Sequence, residues 1–269
     1  MNDPLLAVEA VSKCYLPRGL PRHRARDSAP TALQEVSFRL VQGRLLGLVG
    51  ASGSGKTTLA RCLALVEPPD SGRVLLEGHD LWSTGRRERA GLRARIQLIA
   101  QQPAASLNPR FAAAAIVAEP LAIQRRGTAA ERRRTAARWM ERVGLATDAL
   151  DKRALEFSGG ERQRLAIARA LILEPSLLIL DESFAGLDLS VQGQIARLLR
   201  ELCKSGSLSA ILITHDLALA ASLAGEIAVM DAGRIVECGP TADLIAHPRH
   251  ACTRQLLAAA RALTLEEPA

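Results

Sequence analysis

The sequence predicts an α/β fold: a core with a parallel sheet, an antiparallel β portion and an inserted helical segment. Three observations lead there. A short apolar run, Leu45, Leu46, Leu48 and Val49, meets a glycine-rich turn and then apolar residues at helical spacing, Leu59, Cys62, Leu63 and Val66, so a strand turns into a helix. Leu177, Leu178, Ile179 and Leu180 form a continuous apolar run bounded by Pro175, which fits a strand buried on both faces of a parallel sheet. Between them, residues 104–157 shift to Ala, Arg and Leu with helical spacing, which predicts a helical insert in the core.

Size and composition bound what such a chain does. Its 269 residues with 48% hydrophobic content suffice for a substantial core, near the size where one domain begins to divide into two. The longest apolar stretches fall far short of the roughly 18 to 20 residues a membrane-spanning helix requires, and the N-terminus lacks a charged-then-apolar signal. A cytosolic chain is expected, one able to dock on a membrane-embedded partner. Cys14, Cys62, Cys203, Cys238 and Cys252 are scattered without CxxC spacing, so they predict small, partly buried thiols rather than a zinc site or disulfide framework. The net charge of +7 permits nucleic acid or anionic lipid. Its excess lies largely in residues 86–95 and 125–142, with few aromatic residues for base stacking. In the second run, Ala136, Met140 and Val143 recur at i, i+4, i+7, leaving Arg132, Arg133, Arg134, Arg138 and Arg142 on the outer faces of an amphipathic helix. A solvated helix face is the expectation, and no nucleic-acid partner.

Taken in order, Leu6, Val8 and Val11 begin a strand leading to Tyr15, and a Pro- and Arg-rich loop runs from about residue 16 to 30. Tyr15 ends that strand, where its ring either stacks on a base such as adenine or covers the sheet edge. Val36, Phe38 and Leu40 resume a period-two strand before Gly43 turns the chain. Gly50, Ala51, Ser52, Gly53, Ser54, Gly55, Lys56, Thr57 and Thr58 then read GASGSGKTT, the GxxxxGK[ST] spacing of a phosphate-binding loop. The glycines let backbone N–H groups point inward, and the helix that follows presents its positive dipole end to the same place. Lys56 would reach the terminal phosphates, and the Thr57 hydroxyl would ligate a Mg²⁺ ion.

Val74, Leu75 and Leu76 before Gly78 predict an antiparallel strand and turn, and residues 96–100 another strand that stops at Gln101. A neutral amide there accepts from a metal-bound water and swings away freely, which suits a sensor of the γ-phosphate. Ser158, Gly159, Gly160 and Glu161 open a helix in which Leu165, Ala168, Ala170 and Leu171 are buried, a second anion-binding helix start in one chain. A simple phosphate-loop enzyme has no use for two, so the second is expected to face a nucleotide held by a partner. The strand at 177–180 delivers Asp181 and Glu182 to its carboxyl end, where ligands sit in open α/β sheets. Asp181 would hold Mg²⁺ through water and Glu182 would polarise the attacking water as general base. A further strand at 210–214 brings His215 and Asp216 to the same edge, with His215 a hydrogen-bonding bridge to the γ-phosphate. The chain closes with a hairpin, residues 227–230 and 234–236, and a helix ending near Leu263.

Together these residues resemble ATP-binding cassette (ABC) ATPases: Walker A at residues 50–57, a Q-loop at Gln101, an SGG signature at Ser158, Gly159 and Gly160, Walker B ending in Asp181 and Glu182, a D-loop closing with Gly186, Leu187 and Asp188, and a switch histidine at His215. The resemblance covers nearly the whole chain. It implies a P-loop NTPase (RecA-like) core made of residues 1–103 and 158–269, with a helical subdomain at 104–157. It also implies a head-to-tail dimer with a second ABC ATPase subunit or itself, enclosing ATP and Mg²⁺ between the Walker loop of one subunit and the signature, with Glu161, of the other. Two membrane permease subunits and an extracytoplasmic solute-binding protein are the further partners implied, with the chain at the cytoplasmic face of the cell membrane. Ser106-Leu107-Asn108-Pro109-Arg110, Glu119-Pro120-Leu121 and His247-Pro248-Arg249-His250, with Thr253, Arg254, Leu256 and Leu257, resemble the peptide and nickel importer branch.

Some positions depart from that pattern. Phe157 and Glu161 flank the signature where Leu and Gln are usual, Ser183 follows Glu182 where Pro or Ala is usual, and Ala100 precedes Gln101 where an aromatic is common. A carboxylate at Glu161 would weaken binding of a partner's phosphates unless Arg162 or Arg164 offsets it. Two other function classes are weighed. A soluble cassette protein acting on ribosomes or DNA usually carries two cassettes or a long coiled coil, and neither is visible; a small-molecule kinase leaves the SGGE helix start and His215 unexplained.

Overall fold

The computed structural model describes residues 4–15, 31–184 and 186–265, so the Pro- and Arg-rich loop expected at 16–30 lies outside the described residues. In chain order the elements are β1 (Pro4–Cys14), β2 (Thr31–Val41), β3 (Leu45–Val49), α1 (Lys56–Leu63), β4 (Ser71–Leu76), β5 (His79–Asp80), α2 (Arg86–Arg95), β6 (Ile96–Ile99), α3 (Ala113–Ile123), α4 (Ala129–Arg142), α5 (Gly159–Leu171), β7 (Leu177–Asp181), α6 (Leu189–Lys204), β8 (Ser209–Thr214), α7 (Leu217–Leu223), β9 (Glu226–Asp231), β10 (Arg234–Pro240), α8 (Thr241–Ala246) and α9 (Ala251–Leu265). They fall into two compact units, residues 1–90 with 211–269, and residues 91–210.

In the first unit, β1 pairs antiparallel with β2 and with β4, and β4 pairs with β5, giving the order β2-β1-β4-β5. The period-two pattern does this work: Val36, Phe38 and Leu40 all face inward from β2. A second layer holds β3 parallel to β9, from Leu46 opposite Glu226 to Val49 opposite Val229, with β10 antiparallel beyond β9. All five residues of β3 are buried, as a strand covered on both faces requires. Gly47 lets α7 approach this strand, because a Cβ there would stand 3.1 Å from the Cβ of Ala220. Helix α1 stops at Leu63, so Val66, expected on its apolar face, is exposed instead.

The same unit accounts for much of the C-terminal motif. The Glu237 carboxylate on β10 accepts hydrogen bonds from the Arg249 and His250 backbone amides, both at 3.0 Å, and from the Thr253 hydroxyl at 2.5 Å. Burial opposes ionisation of Glu237, but these bonds and the Arg249 charge hold its pKa below the ordinary value. The motif thus fastens the start of α9 to the β9–β10 hairpin. Cys62 packs in the core, where burial pushes its thiol up to about 12.

In the second unit, β6 runs parallel to β7, with Ile96 opposite Leu177 and Ile99 opposite Leu180. From residue 103 to 156 the chain forms only helices and 3-10 turns, apart from one isolated bridge between Ala112 and Arg153. Helix α4 opens with a capping box, Thr128 and Glu131, and buries Ala136, Trp139 and Met140, with Val143 just beyond its end. Its arginines face mainly outward: Arg133 grips both carboxylate oxygens of Asp151 at 2.8 and 2.7 Å, and Arg142 lies 4.4 Å over the Trp139 ring. Helices α2 over the first basic run, α6 after the D-loop and α7 after β8 stand where the sequence predicts no element.

Candidate functional site

The phosphate loop is built by close backbone packing in the first unit. An added Cβ at Gly50 would lie 2.2 Å from the Met230 carbonyl oxygen and 2.8 Å from Ser54 Oγ, so only glycine fits beside β9. Gly53 and Gly55 take φ of +80° and +105°, and a Cβ at Gly55 would meet the Ala32 carbonyl oxygen at 2.3 Å. Gly55 is the N-cap of α1 and has no side chain with which to cap it, and no acidic residue occupies the first turn. The α1 start therefore keeps its positive dipole end unneutralised by its own side chains. Lys56 curls back over the loop, where Nζ donates to the Gly50 and Ala51 carbonyls, both at 2.8 Å, and to Ser54 Oγ at 3.4 Å. The ammonium is thus held at the mouth of the turn, with the side chain 7% exposed. Thr57, Ala51 and Ser52 are exposed and Thr58 is half-buried.

Tyr15 directly follows β1 and is exposed. Its hydroxyl donates to Glu67 Oε2 at 2.9 Å and stands 3.5 Å from Thr58 Oγ1. The ring is thereby tethered beside the first turn of α1. His215 follows β8 directly and is exposed, while Asp216 caps α7, accepting from the Leu219 amide at 3.0 Å.

The second unit carries the carboxylates and the signature. Parallel pairing of β6 with β7 brings Gln101, two residues past β6, to the same carboxyl edge as Asp181 and Glu182. Asp181 is 2% exposed and Glu182 half-buried, while Gln101 is exposed. Glu182 adopts φ of +52°, in the left-handed region, so the chain turns sharply as it leaves β7. Ser183 is fully buried; its hydroxyl donates to the Ile99 carbonyl at 3.0 Å and lies 3.3 Å from that of Asp181. The Gln163 amide on α5 donates to the Ser183 carbonyl. Gln192 on α6 donates to the Phe184 and Leu187 carbonyls, at 3.3 and 3.0 Å. Neither Gln163 nor Gln192 is a residue that sequence reasoning selected.

Ser158 is the N-cap of α5 and forms a full capping box with Glu161: the Ser158 amide donates to Glu161 Oε2 at 2.8 Å, and Ser158 Oγ accepts from the Glu161 amide at 3.2 Å. Hydrogen bonds from the Ser158 backbone and side chain, with the charges of Arg164 and Lys152, hold the Glu161 carboxyl below its ordinary pKa against a smaller opposing effect of burial. Gly159 and Gly160 are the first helical residues, and neither would clash with an added Cβ; the nearest atom is Leu187 Cδ2, 3.7 Å from that of Gly160. Asp188 caps α6, accepting from the Val191 amide at 2.9 Å. The fold thus brings Lys56, Thr58 and Tyr15 together on one unit, and Gln101, Asp181, Glu182 and the signature helix together on the other.

The ABC transporter family model matches residues 33–185, more than half of the chain. Over 259 residues the chain is 40% identical to the dipeptide transport ATP-binding protein DppF of Haemophilus influenzae, covering 96% of this chain and 78% of that one. Against the protein of the same name in Escherichia coli it is 39% identical over 260 residues, covering 96% and 77%. A solved dimeric structure of the ATP-binding cassette MJ0796 in a post-hydrolysis state, bound to ADP and Pi, superposes with a TM-score of 0.78 at 25% identity, covering 88% of this chain and 98% of that one. The fold is that of an ABC ATPase, and the chain belongs to the ABC transporter family.

Proposed function

We propose that this chain is the ATP-hydrolysing subunit of a membrane importer for peptides, working in a head-to-tail pair with a second ATPase subunit or a second copy of itself. The observation that carries the reading is the presence of two phosphate-type helix starts in one chain, α1 after a glycine loop and α5 after Ser158. One polypeptide has use for both only if each nucleotide is completed by a companion. The dimeric cassette that the fold matches supports the pairing. The names of the dipeptide-transport relatives support peptides as cargo, and they favour the importer over a soluble ATPase on ribosomes or DNA. Neither name supports nickel. Among the described residues no helix is long and apolar enough to cross a membrane. In this reading permease subunits supply the path, an extracytoplasmic solute-binding protein delivers the cargo, and the chain works peripherally at the cytoplasmic face.

In this reading the Gly50–Gly55 amides and the Lys56 ammonium hold the β- and γ-phosphates, and Tyr15 flanks the base. The groups assigned to the metal, the Thr57 hydroxyl, the Asp181 carboxylate and the Gln101 amide oxygen, are all oxygen donors, a chemistry that fits Mg²⁺. When bound, that ion supplies positive charge against the phosphate oxygens. Glu182 accepts a proton from the attacking water, His215 hydrogen-bonds toward the γ-phosphate, and Asp188 lies at the facing edge of the companion's site. Ser158, Gly159 and Gly160, followed by Glu161, donate to the companion's nucleotide from the start of α5. Residues 104–157 serve as the helical subdomain beside the core. Of the α4 arginines, Arg133 is engaged by Asp151 and Arg142 by Trp139, which supports a solvated face rather than a nucleic-acid site.

Replacing Glu182 by Gln tests the assignment. ATP binding is expected to persist while turnover falls by on the order of 10²–10⁴; hydrolysis at the original rate rejects Glu182 as base. Purification with its membrane neighbours, followed by ATPase assays with dipeptides, oligopeptides and nickel complexes, tests the cargo.

A further inference from the structure

The segment that follows Glu182 is tied from three directions by side chains outside the phosphate-binding motifs. Ser183 Oγ reaches the Ile99 carbonyl at 3.0 Å, anchoring the turn to the strand end that carries Gln101. Gln192 holds the Phe184 and Leu187 carbonyls. The third tie differs in kind, because the Gln163 amide reaches the Ser183 carbonyl from α5, the helix whose first turn is the signature. Gln163 is 6% exposed and Ser183 fully buried, so water does not substitute for this bond. The residue between β7 and the tied carbonyl is Glu182, with φ of +52°. A non-glycine residue keeps that conformation when its surroundings enforce it.

We propose that Gln163 is a positioning residue for hydrolysis: it holds the backbone that sets the pose of Glu182 and makes that pose depend on how the signature helix is seated. The inference rests on the reading of Glu182 as general base. Its consequence is communication within one chain. A nucleotide that engages Ser158 and Gly160 shifts or steadies α5; Gln163, five residues along from Ser158, passes this to the Ser183 carbonyl, and Glu182 of the same chain gains or loses its alignment. Occupancy of one site of the pair thereby tunes the carboxylate serving the other.

The test is a cycle of four proteins, the original chain, Gln163→Met, Glu182→Gln and the double variant, each assayed for ATP turnover in the complex with its partner subunits. Methionine keeps the length of the side chain and removes the donor. The single variant is expected to lose between about tenfold and 10²-fold in kcat, the scale of a misplaced catalytic group, with KM for ATP within about twofold. On the Glu182→Gln background it adds no further loss, because the group it aligns is gone. An original kcat in Gln163→Met, or losses that multiply in the double variant, overturn the proposal. Thermal unfolding of each protein monitors folding. Should Gln163→Met not fold, Gln163→Asn, an amide one methylene too short to reach, is expected to show the same kcat loss and the same cycle. Full activity in Glu182→Gln sinks the base assignment itself, whereas a dead Glu182→Gln with an unimpaired Gln163→Met sinks only the positioning role.

Discussion

The two helix starts assigned to phosphate in the proposed function are built in opposite ways. At α1 the cap is Gly55, no side chain satisfies the first amides, no acidic residue stands in the first turn, and Lys56 adds a charge beside them. At α5 the cap is Ser158, and Glu161 completes a box that satisfies the same class of amide internally. The first start has no side-chain cap of its own, and its geometry is enforced by contacts a side chain would break. The second is stable by itself and offers a phosphate only the Ser158 hydroxyl proton and the remaining amides. Under the proposed function, one grip holds nucleotide alone, while the other is a latch that acts once a companion brings a nucleotide to it. This asymmetry suits a machine that opens and closes.

The largest way to break the comparison is Gly50→Ala. A methyl group would lie 2.2 Å from the Met230 carbonyl oxygen, so the loop has to leave its position against β9. Losing two charge-assisted hydrogen bonds to the phosphates, at about 1.5–3 kcal/mol each, lowers ATP affinity by on the order of 10²–10⁴. Equilibrium binding of a fluorescent ATP analogue to the isolated chain measures this, and affinity within tenfold of the original would show that the tight packing of Gly50 does not shape the cradle. An alanine in the matching role on the other start, Ser158→Ala, acts differently. It removes the α5 cap, costing about 1 kcal/mol of stability, and takes one donor from the companion's phosphates, worth on the order of 10²-fold in turnover. Binding by the isolated chain stays within about twofold. If instead Ser158→Ala weakened that binding as Gly50→Ala does, both starts would serve the chain's own nucleotide and the division of labour would be lost.

How far these features are legible in the sequence depends on whether their cause is local. The strand–loop–helix at 45–63 is legible because each step is short-range: an apolar run, glycines at fixed spacing, then helical periodicity. The capping box at Ser158 and Glu161 is legible too, since Ser-x-x-Glu is a helix-start signature. The glycines between them point toward phosphate instead, and both readings describe the same four residues. Ser183 is different. As a residue it reads only as a departure from a family habit, and its bond to Ile99 exists because β6 and β7 lie side by side, which no local pattern records. Gln163 sits at a buried position of an otherwise apolar helix face, and a buried amide in such a place is the signal that points to a fixed acceptor. Trp139 likewise joins Ala136 and Met140 in the core, outside the strict i, i+4, i+7 set, because neighbouring elements cover a wider arc of α4.

The smallest and sharpest change is Glu161→Gln, which asks whether the carboxylate belongs to the helix or to the nucleotide. In the box its pKa is below the ordinary value of 4.5, held there first by the Ser158 bonds. The ionised group therefore contributes stability that is fully present above that ordinary value and is lost as pH falls through the lowered one. Glutamine also closes a capping box but carries no charge, so the variant loses no more than about 0.5 kcal/mol at neutral pH for this largely solvated group. The gap between the two proteins, followed by thermal unfolding, narrows as the pH is lowered below the carboxylate range. KM for ATP in the assembled pair stays within about twofold, since a carboxylate turned back onto its own helix does not face the companion's phosphates. A pronounced drop in KM on removing the charge would mean that Glu161 leaves the box when the pair closes, and the second start would then be a grip under electrostatic restraint rather than a self-capped latch.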